Sequence, residues 1–346
     1  MNIQRVDPCT APLWNTLITT QESSVFHSPA WIRAVSETYE FDTCAYVLLD
    51  ESCTPQAGIP VCRIEDMRGK RLISFPFSDY YDPLITNLSQ WQALLHPLLE
   101  EGVPIRIRCL HNELPLQDSR FQLVNRARWH GMDIRPDLDT LWQQLTPECR
   151  RAIQKAERIG LTVRQAQDPA MMRTFFDMHL KVRKYKYQLL AQPYRFFENI
   201  WHHLVAPGHG TLITVHYDDQ VVSAALFLRW QGKCYYKFGA SRREYLELRP
   251  NDLLIWAGIQ YAKTQGDRYF DLGLSDWDQN GLIAFKRKFA TEEKTISFLE
   301  YKPDVTRNPS QLPPELLPTL TQLFTDPSVP DTVTERAGEL LYRFFV

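Results

Sequence analysis

At 346 residues and 40.5 kDa the chain exceeds the size at which a single core usually stops growing, so two domains are expected. A net charge of −2 and 44% hydrophobic residues describe an ordinary soluble protein, and no apolar run approaches the roughly 20 residues of a membrane helix. The start, Met1-Asn-Ile-Gln-Arg-Val-Asp-Pro8, lacks the basic and apolar regions of a secretory signal. The seven cysteines are odd in number, scattered and without a Cys-x-x-Cys, which fits reduced thiols in the cytoplasm better than a disulfide framework or a zinc knuckle.

In chain order, residues 13–20 and 29–39 read as short helices, and 45–50 and 57–64 as strands of a meander that 71–77 continues. An amphipathic helix is expected over 91–101 after the Asn87-Leu-Ser89 cap, followed by strands over 105–109 and 122–129. From residue 138 the chain becomes helical and basic. Thr146-Pro147-Glu148 starts a helix, since threonine caps and proline is tolerated in a first turn, and Gly160 ends it. Helices over 169–189 and 194–205 and strands over 210–217 and 220–230 then repeat the first half in outline, as two copies of one fold would.

The most informative stretch is 234–290. Cys234-Tyr-Tyr-Lys-Phe-Gly239 is a short aromatic strand, and residues 251–263 form a helix that Asn251 and Asp252 open and Lys263 closes. A second strand lies over 268–273, and a basic helix over 281–289 follows the Asp/Ser-rich turn at 275–280. A helix between two strands makes this a parallel β-α-β unit. The tail after Pro303 reads as a Pro-rich connection through Pro330, then an amphipathic helix ending near Phe345 that packs back on the body.

Several of these pieces carry a resemblance. Phe26-His-Ser-Pro-Ala-Trp31, the Arg150–Gly160 helix, Tyr235-Tyr-Lys-Phe-Gly-Ala-Ser241, Pro250-Asn-Asp-Leu-Leu254 and Phe270-Asp-Leu-Gly273 followed by Phe285-Lys286 resemble, in order and spacing, the FemAB-like branch of the GNAT superfamily. The likeness runs from about residue 20 to 302. That branch holds the Fem-type transferases, which add amino acids from aminoacyl-tRNA to peptidoglycan precursors, and related acyltransferases with a BioF2-like domain in envelope and polysaccharide biosynthesis. The resemblance implies an α/β fold of twin GNAT-like (acyl-CoA N-acyltransferase) domains, each a mixed central sheet flanked by helices. Residues 1–145, joined by the C-terminal helix 331–346, would form the acceptor side. Residues 146–302 would form the donor side, with 303–330 as the connection. It also implies transfer of an acyl or aminoacyl group to an amine or hydroxyl of an envelope precursor.

Such transfer needs a held donor, a path for the acceptor proton and a group to stabilise the oxyanion at the carbonyl. Lys286 occupies the lysine position of the family's Tyr/Phe-Lys motif and would stabilise the oxyanion or the leaving group; the plain alternative is a solvated basic face with Arg287 and Lys288. Asp271, beside Gly273 at a strand end where α/β sites lie, would orient Lys286 or accept a proton, or else simply form a turn. Tyr236 should point from its strand in the same sense as Phe238, as a binding tyrosine or as core.

The donor is either acyl-CoA or an aminoacyl-tRNA. The glycine-rich loop that presents backbone amides to the coenzyme A pyrophosphate in ordinary GNAT enzymes is missing, since Ala240–Asp252 contains no glycine, and Asp252 would repel an anion there. Arg242, Arg243 and Arg249 could substitute through side chains, with Ser241 and Lys288 nearby. Between Arg150 and Tyr187, ten Lys/Arg face three acids, and Lys181-Val-Arg-Lys-Tyr-Lys-Tyr187, with Arg183 at its centre, suits phosphates, a tRNA acceptor end or a nucleotide- or lipid-linked precursor. In the first half, Ser78, Asp79 and Tyr80 of a polar aromatic loop are the acceptor-side candidates, against a reading as a Pro-stiffened turn.

Histidines 202, 203, 209 and 216 have no metal-ligand spacing, and no nucleophile elbow is present, so a metal-free direct transfer is expected. Two alternatives stand beside the envelope reading. One is an acyl-CoA-dependent N-acetyltransferase of a small metabolite, and the other a catalytically idle GNAT-like binding module. Oligomeric state and acyl length are not legible.

Overall fold

The computed structural model describes residues 2–303, 313 and 315–346. They form two compact units. The first runs to Arg128 and is completed by a return segment from Lys294 and by Val346; the second comprises Trp129–Glu293 and the C-terminal helices to Phe345. The boundary therefore falls inside a strand, ahead of the expected one at residue 145.

In the first unit, β1 (Asn2–Val6), β2 (Asp42–Leu49), β3 (Pro55–Asp66) and β4 (Gly69–Ile73) form an antiparallel meander. Helices α1 (Pro12–Thr20) and α2 (Pro29–Tyr39) lie between β1 and β2 in the chain, and α3 (Leu88–Leu99) lies between β4 and β5 (Ile105–Cys109), which pair in parallel. Asn87 caps α3 by accepting from the Gln90 amide at 3.0 Å. Trp91, Leu94, Leu95 and Leu98 on its inner face fill a core with Ile59, Val61, Ile105 and Ile107.

Strand β6 (Gln122–Asp133) carries the chain from one unit into the other. The second unit then has α4 (Leu138–Gln144), α5 (Pro147–Ile159) and β7 (Thr162–Gln165). Next come α6 (Met171–Lys181) and α7 (Tyr194–Ile200), each continuing as a π-helical turn, Val182–Tyr187 and Trp201–Val205. Strands β8 (Gly210–Tyr217), β9 (Gln220–Trp230) and β10 (Lys233–Ser241) extend the antiparallel meander that β7 begins. Helix α8 (Pro250–Thr264) then leads to β11 (Tyr269–Asp276), which is parallel to β10. The β10-α8-β11 reading thus holds, and both units share one order: four meander strands, a helix, then a parallel strand. Helix α9 (Asn280–Lys286) and β12 (Glu292–Tyr301) follow; from Ser297 to Tyr301, β12 pairs with β5. Thr146 accepts from the Cys149 amide at 3.2 Å and Gly160 ends α5 at φ +95°, as the sequence indicated.

Two expectations about the tail change. Helix α10 (Leu316–Phe324) lies within the stretch read as a connection, because Pro318 falls in the first turn, where the missing amide costs nothing. Residues 304–312 and 314 of that stretch lie outside the described residues. Helix α11 (Asp331–Leu341) belongs to the second unit and not to the first. Arg173 of α6 makes a bidentate pair with Glu335 (2.7 and 2.9 Å), the Lys184 ammonium meets Asp331 (2.9 Å) and the Val329 carbonyl (2.5 Å), and Gly338 lies flush on the Ala191 carbonyl. Opposite charges on α11 and the basic α6 segment decide the docking, a complementarity that helical periodicity does not reveal.

Candidate active site

Strands β10 and β11 share hydrogen bonds only from Lys233/Tyr269 to Tyr235/Asp271. Beyond that pair β10 follows β9 alone, up to Ser241 opposite Ser223, while β11 continues to Asp276. Parallel strands that part at their carboxyl ends open the crevice in which α/β folds hold ligands.

Lys286 stands on the β11 side of this opening. It is not the solvated cation that its basic neighbours suggested: the residue is 3% exposed, and its ammonium donates to the carbonyls of Gly273 (3.0 Å) and Leu274 (2.7 Å). Asp271, also buried, accepts from the Trp129 indole (2.8 Å) and from the Gly273 amide (2.7 Å). One peptide residue thus links the two candidates, with the Gly273 N–H on Asp271 and its C=O on Lys286. Gly273 has φ +72°, a conformation that glycine takes without strain. Asp271 and Lys286 are thus joined through the Gly273 backbone.

Strand β6 serves this assembly. Trp129, which sequence reasoning read only as strand, fixes Asp271, and its ring stacks on Tyr269. The next residue, His130, is fully buried with Nε2 3.1 Å from Glu293, whose carboxylate Arg287 grips at 2.8 and 3.0 Å. A buried Trp-His pair at a strand end was the available signal for both. Burial, and then the Lys286 charge, push the His130 imidazole down to about 4. Burial and then Arg183 push His179, hydrogen-bonded to Gln192 at 2.8 Å, to about 3. Both are neutral in the fold, and the unfolded chain takes up their protons below about 6.5. Their contribution to stability is complete above that pH and lost as the pH falls towards 4 and then 3, at up to about 1.4 kcal/mol per pH unit for each. The melting temperature should therefore drop steeply between pH 6 and 4, and His179→Gln should flatten the slope by about one proton. A profile that is level over that range would contradict this account.

Tyr236 and Phe238 do not point in the same sense. A bulge at Lys237 shifts the register between them, so that Tyr236 packs on Phe227 while Phe238 enters a cluster of Phe196, Phe197 and His179. An extra residue reverses the alternation of a strand.

The donor-loop candidates are largely committed. Residues Arg243–Leu248 form a 3-10 turn, and Arg242 donates to the Val221 carbonyl at 2.8 Å. Arg249, exposed and in the left-handed region at φ +63°, precedes Pro250 at the start of α8. Asn251 and Asp252 lie inside the first turn and do not cap it. The Asn251 carbonyl accepts instead from Ser223 (2.9 Å) and from Ser241, which fastens α8 to the sheet. Asp252 is buried and its carboxyl is pushed up by that burial; Lys288 meets it at 3.4 Å and Glu148 at 3.1 Å. Burial pulls the Lys288 ammonium down, but these two acids outweigh it and the net shift is upward. Lys288 thus offsets the charge at the α8 start that was expected to repel an anion.

The basic segment is also partly committed. Arg150 caps α4 through the carbonyls of Gln143 and Leu145, Lys155 meets the Glu247 carbonyl, Arg164 meets Asp219, and Arg183 donates to Leu190. With Arg173 and Lys184 on α11, the exposed cations left are Arg151, Arg158, Lys181 and Lys186.

In the first unit, Ser78 is 1% exposed and its hydroxyl accepts from the Trp31 indole at 2.9 Å; Tyr80 is buried against Phe26 and His111. Asp79 is half-buried between them. His27 accepts at Nδ1 from the Ser24 amide (3.1 Å) and hydroxyl (2.8 Å) and donates through Nε2 to the Asp82 carbonyl (2.9 Å). The Phe26–Trp31 motif and the Ser74–Pro83 loop are therefore one interlocked structure, and Ser78 and Tyr80 hold the loop in shape. No cluster of residues able to hold a metal exists among the described residues. None of their helices is long and apolar enough to cross a membrane. The thiols of Cys149 and Cys234 are buried and pushed up, Cys149 to about 12, which leaves them unactivated.

Residues 146–287, which contain the crevice, Asp271 and Lys286, match the family model described as an acetyltransferase (GNAT) domain. This stretch is a GNAT domain. A lipid II:glycine glycyltransferase of Staphylococcus saprophyticus is 34% identical over 87 residues, which are 23% of this chain and 21% of that protein. One of Staphylococcus aureus is 32% identical over 82 residues, 22% and 20% of the two chains. The chain thus spans about a fifth of the length of the curated relatives it matches.

Solved structures share the GNAT fold over most of the chain. FemX superposes with a TM-score of 0.68 at 15% identity, covering 94% of this chain and 100% of that one. L-PGS from Bacillus licheniformis gives 0.55 at 11%, covering 92% and 97%. A tandem GNAT protein from the clavulanic acid biosynthesis pathway gives 0.53 at 10%, covering 88% and 100%. Over most of the chain, then, the likeness is one of fold, a mixed α/β architecture shared with FemX and the tandem GNAT protein.

Proposed function

We propose that the protein is an acyl- or aminoacyltransferase that moves an acyl group directly from its carrier to an amine or hydroxyl of a cell-envelope or polysaccharide precursor. The observation that carries the reading is the buried Lys286 ammonium, held by two carbonyls where β10 and β11 part. A fixed cation in a low-dielectric crevice stabilises charge that develops during reaction without reorganising. In the step, the acceptor attacks the acyl carbonyl, the tetrahedral oxyanion forms beside Lys286, and the carrier leaves as the carbonyl is restored. The acceptor proton passes to solvent or to the leaving group. Asp271 and Gly273 keep the ammonium in place.

Partial likeness to lipid II:glycine glycyltransferases supports an envelope acceptor and an aminoacyl donor. A donor phosphate would lie by the start of α8, near Arg249 and Arg151, the cations that flank Glu148. Lys181 and Lys186 would extend that contact along a larger donor. Thermal stabilisation by acetyl-CoA, a long-chain acyl-CoA, charged and uncharged tRNA and a UDP-linked peptidoglycan precursor tests the reading. A ligand at about 100 times its dissociation constant adds about 2.7 kcal/mol. A shift with charged tRNA or the nucleotide precursor is expected. A shift with CoA esters alone would favour small-metabolite acetylation, and none at all would favour an idle binding module.

A further inference from the structure

The inner end of the crevice carries a second observation, which bears on the acyl group itself and rests on the reading above. Tyr236 is the first residue of β10 beyond its last pair with β11. Its side chain lies forward along its own strand, with the hydroxyl over Gly239 where any β-carbon would collide with it. Its ring tilts against Phe227 at 5.8 Å, and Phe227 in turn fills the space over Gly258. Two glycines are thus spent on seating this tyrosine and its support. Burial raises the Tyr236 phenol above its ordinary value, and the phenol of Tyr187 adds to that push. Tyr187 ends the π-helical turn after α6.

We infer that Tyr236, backed by Phe227, closes the inner end of the crevice between β10 and β11 and limits the transferred acyl group to acetyl, glycyl or alanyl size. A longer chain entering past Lys286 meets an aromatic ring that is backed by Phe227 and already lies over Gly239. A pocket with fixed walls discriminates by roughly 10–200-fold for one methylene group.

The test uses the full chain and two series of probes, read by calorimetry. One series is acetyl-, butyryl- and octanoyl-CoA. The other is 3′-amino-3′-deoxyadenosine carrying glycyl, alanyl, leucyl or phenylalanyl amides, which stand in for the aminoacyl end of a tRNA. The expected result is binding of one series, with the small members at least about tenfold tighter than the large. Tyr236→Ala should bring that ratio close to one, while Tyr236→Phe, which keeps the ring, retains it. Tyr236→Leu supplies the comparison if the alanine variant does not fold. Native protein that binds long and short members equally, or a Tyr236→Leu or Tyr236→Ala protein with unchanged preference, overturns the inference and leaves the transferase reading standing. If neither series binds, the transferase reading fails and the inference with it.

Discussion

Lys286→Met should lower the rate of acyl transfer by about 10²–10³-fold, the loss typical when one preorganised donor to an oxyanion is removed. Methionine has similar length and no charge, so the crevice keeps its shape. The substitution also leaves the Gly273 and Leu274 carbonyls without their donor, at a stability cost of about 1–3 kcal/mol for each buried group. Rates must therefore be compared below the melting transition, with donor binding as the control. Asp271→Asn should lose less, because its amide oxygen still accepts from Trp129 and the Gly273 amide. Single-turnover transfer separates the two. Equal rates for Lys286→Met and the native protein would remove Lys286 from the chemistry.

The second large effect concerns stability and is unequal at the two ends of one ion pair. The Lys184 side chain is 0% exposed and meets Asp331, which also accepts from the Tyr185 hydroxyl at 2.8 Å. Asp331→Ala takes the carboxylate from a buried ammonium, which keeps the Val329 carbonyl and the face of Tyr185, and should destabilise the protein by about 3 kcal/mol, the lower end for a broken buried pair because Asp331 is partly exposed. Lys184→Met removes the charge itself and leaves the Val329 carbonyl without this donor, so it should cost less, about 1 kcal/mol. Chemical denaturation of the two variants checks this, and a Lys184→Met loss as large as that of Asp331→Ala would contradict it.

Much of the second unit was legible because local signals agreed with the fold. Thr146, Pro147 and Gly160 bound α5, and aromatic strands flank a long apolar helix in β10-α8-β11. The edge strands β1 and β7 were missed, since short, largely exposed strands owe their form to pairing and not to pattern. The π-helical turn after α6 and the bulge at Lys237 were also invisible: each is one residue out of period, and the bulge decides how Tyr236 and Phe238 point relative to each other. Lys286 and Asp271 were found through the motif around Gly273, but their burial was not, because the carbonyls and the indole that satisfy them come from the backbone and from β6. Asn251 read as a cap for the same reason. Its partners Ser223 and Ser241 come together only through the β9–β10 register.

The most direct measurement is hydrogen exchange with and without whichever member of the donor panel stabilises the protein. Protection concentrated at Tyr235–Ser241 and Asp271–Lys288 is the predicted footprint. Protection confined to other segments, with these two unchanged, would contradict a donor seated between β10 and β11.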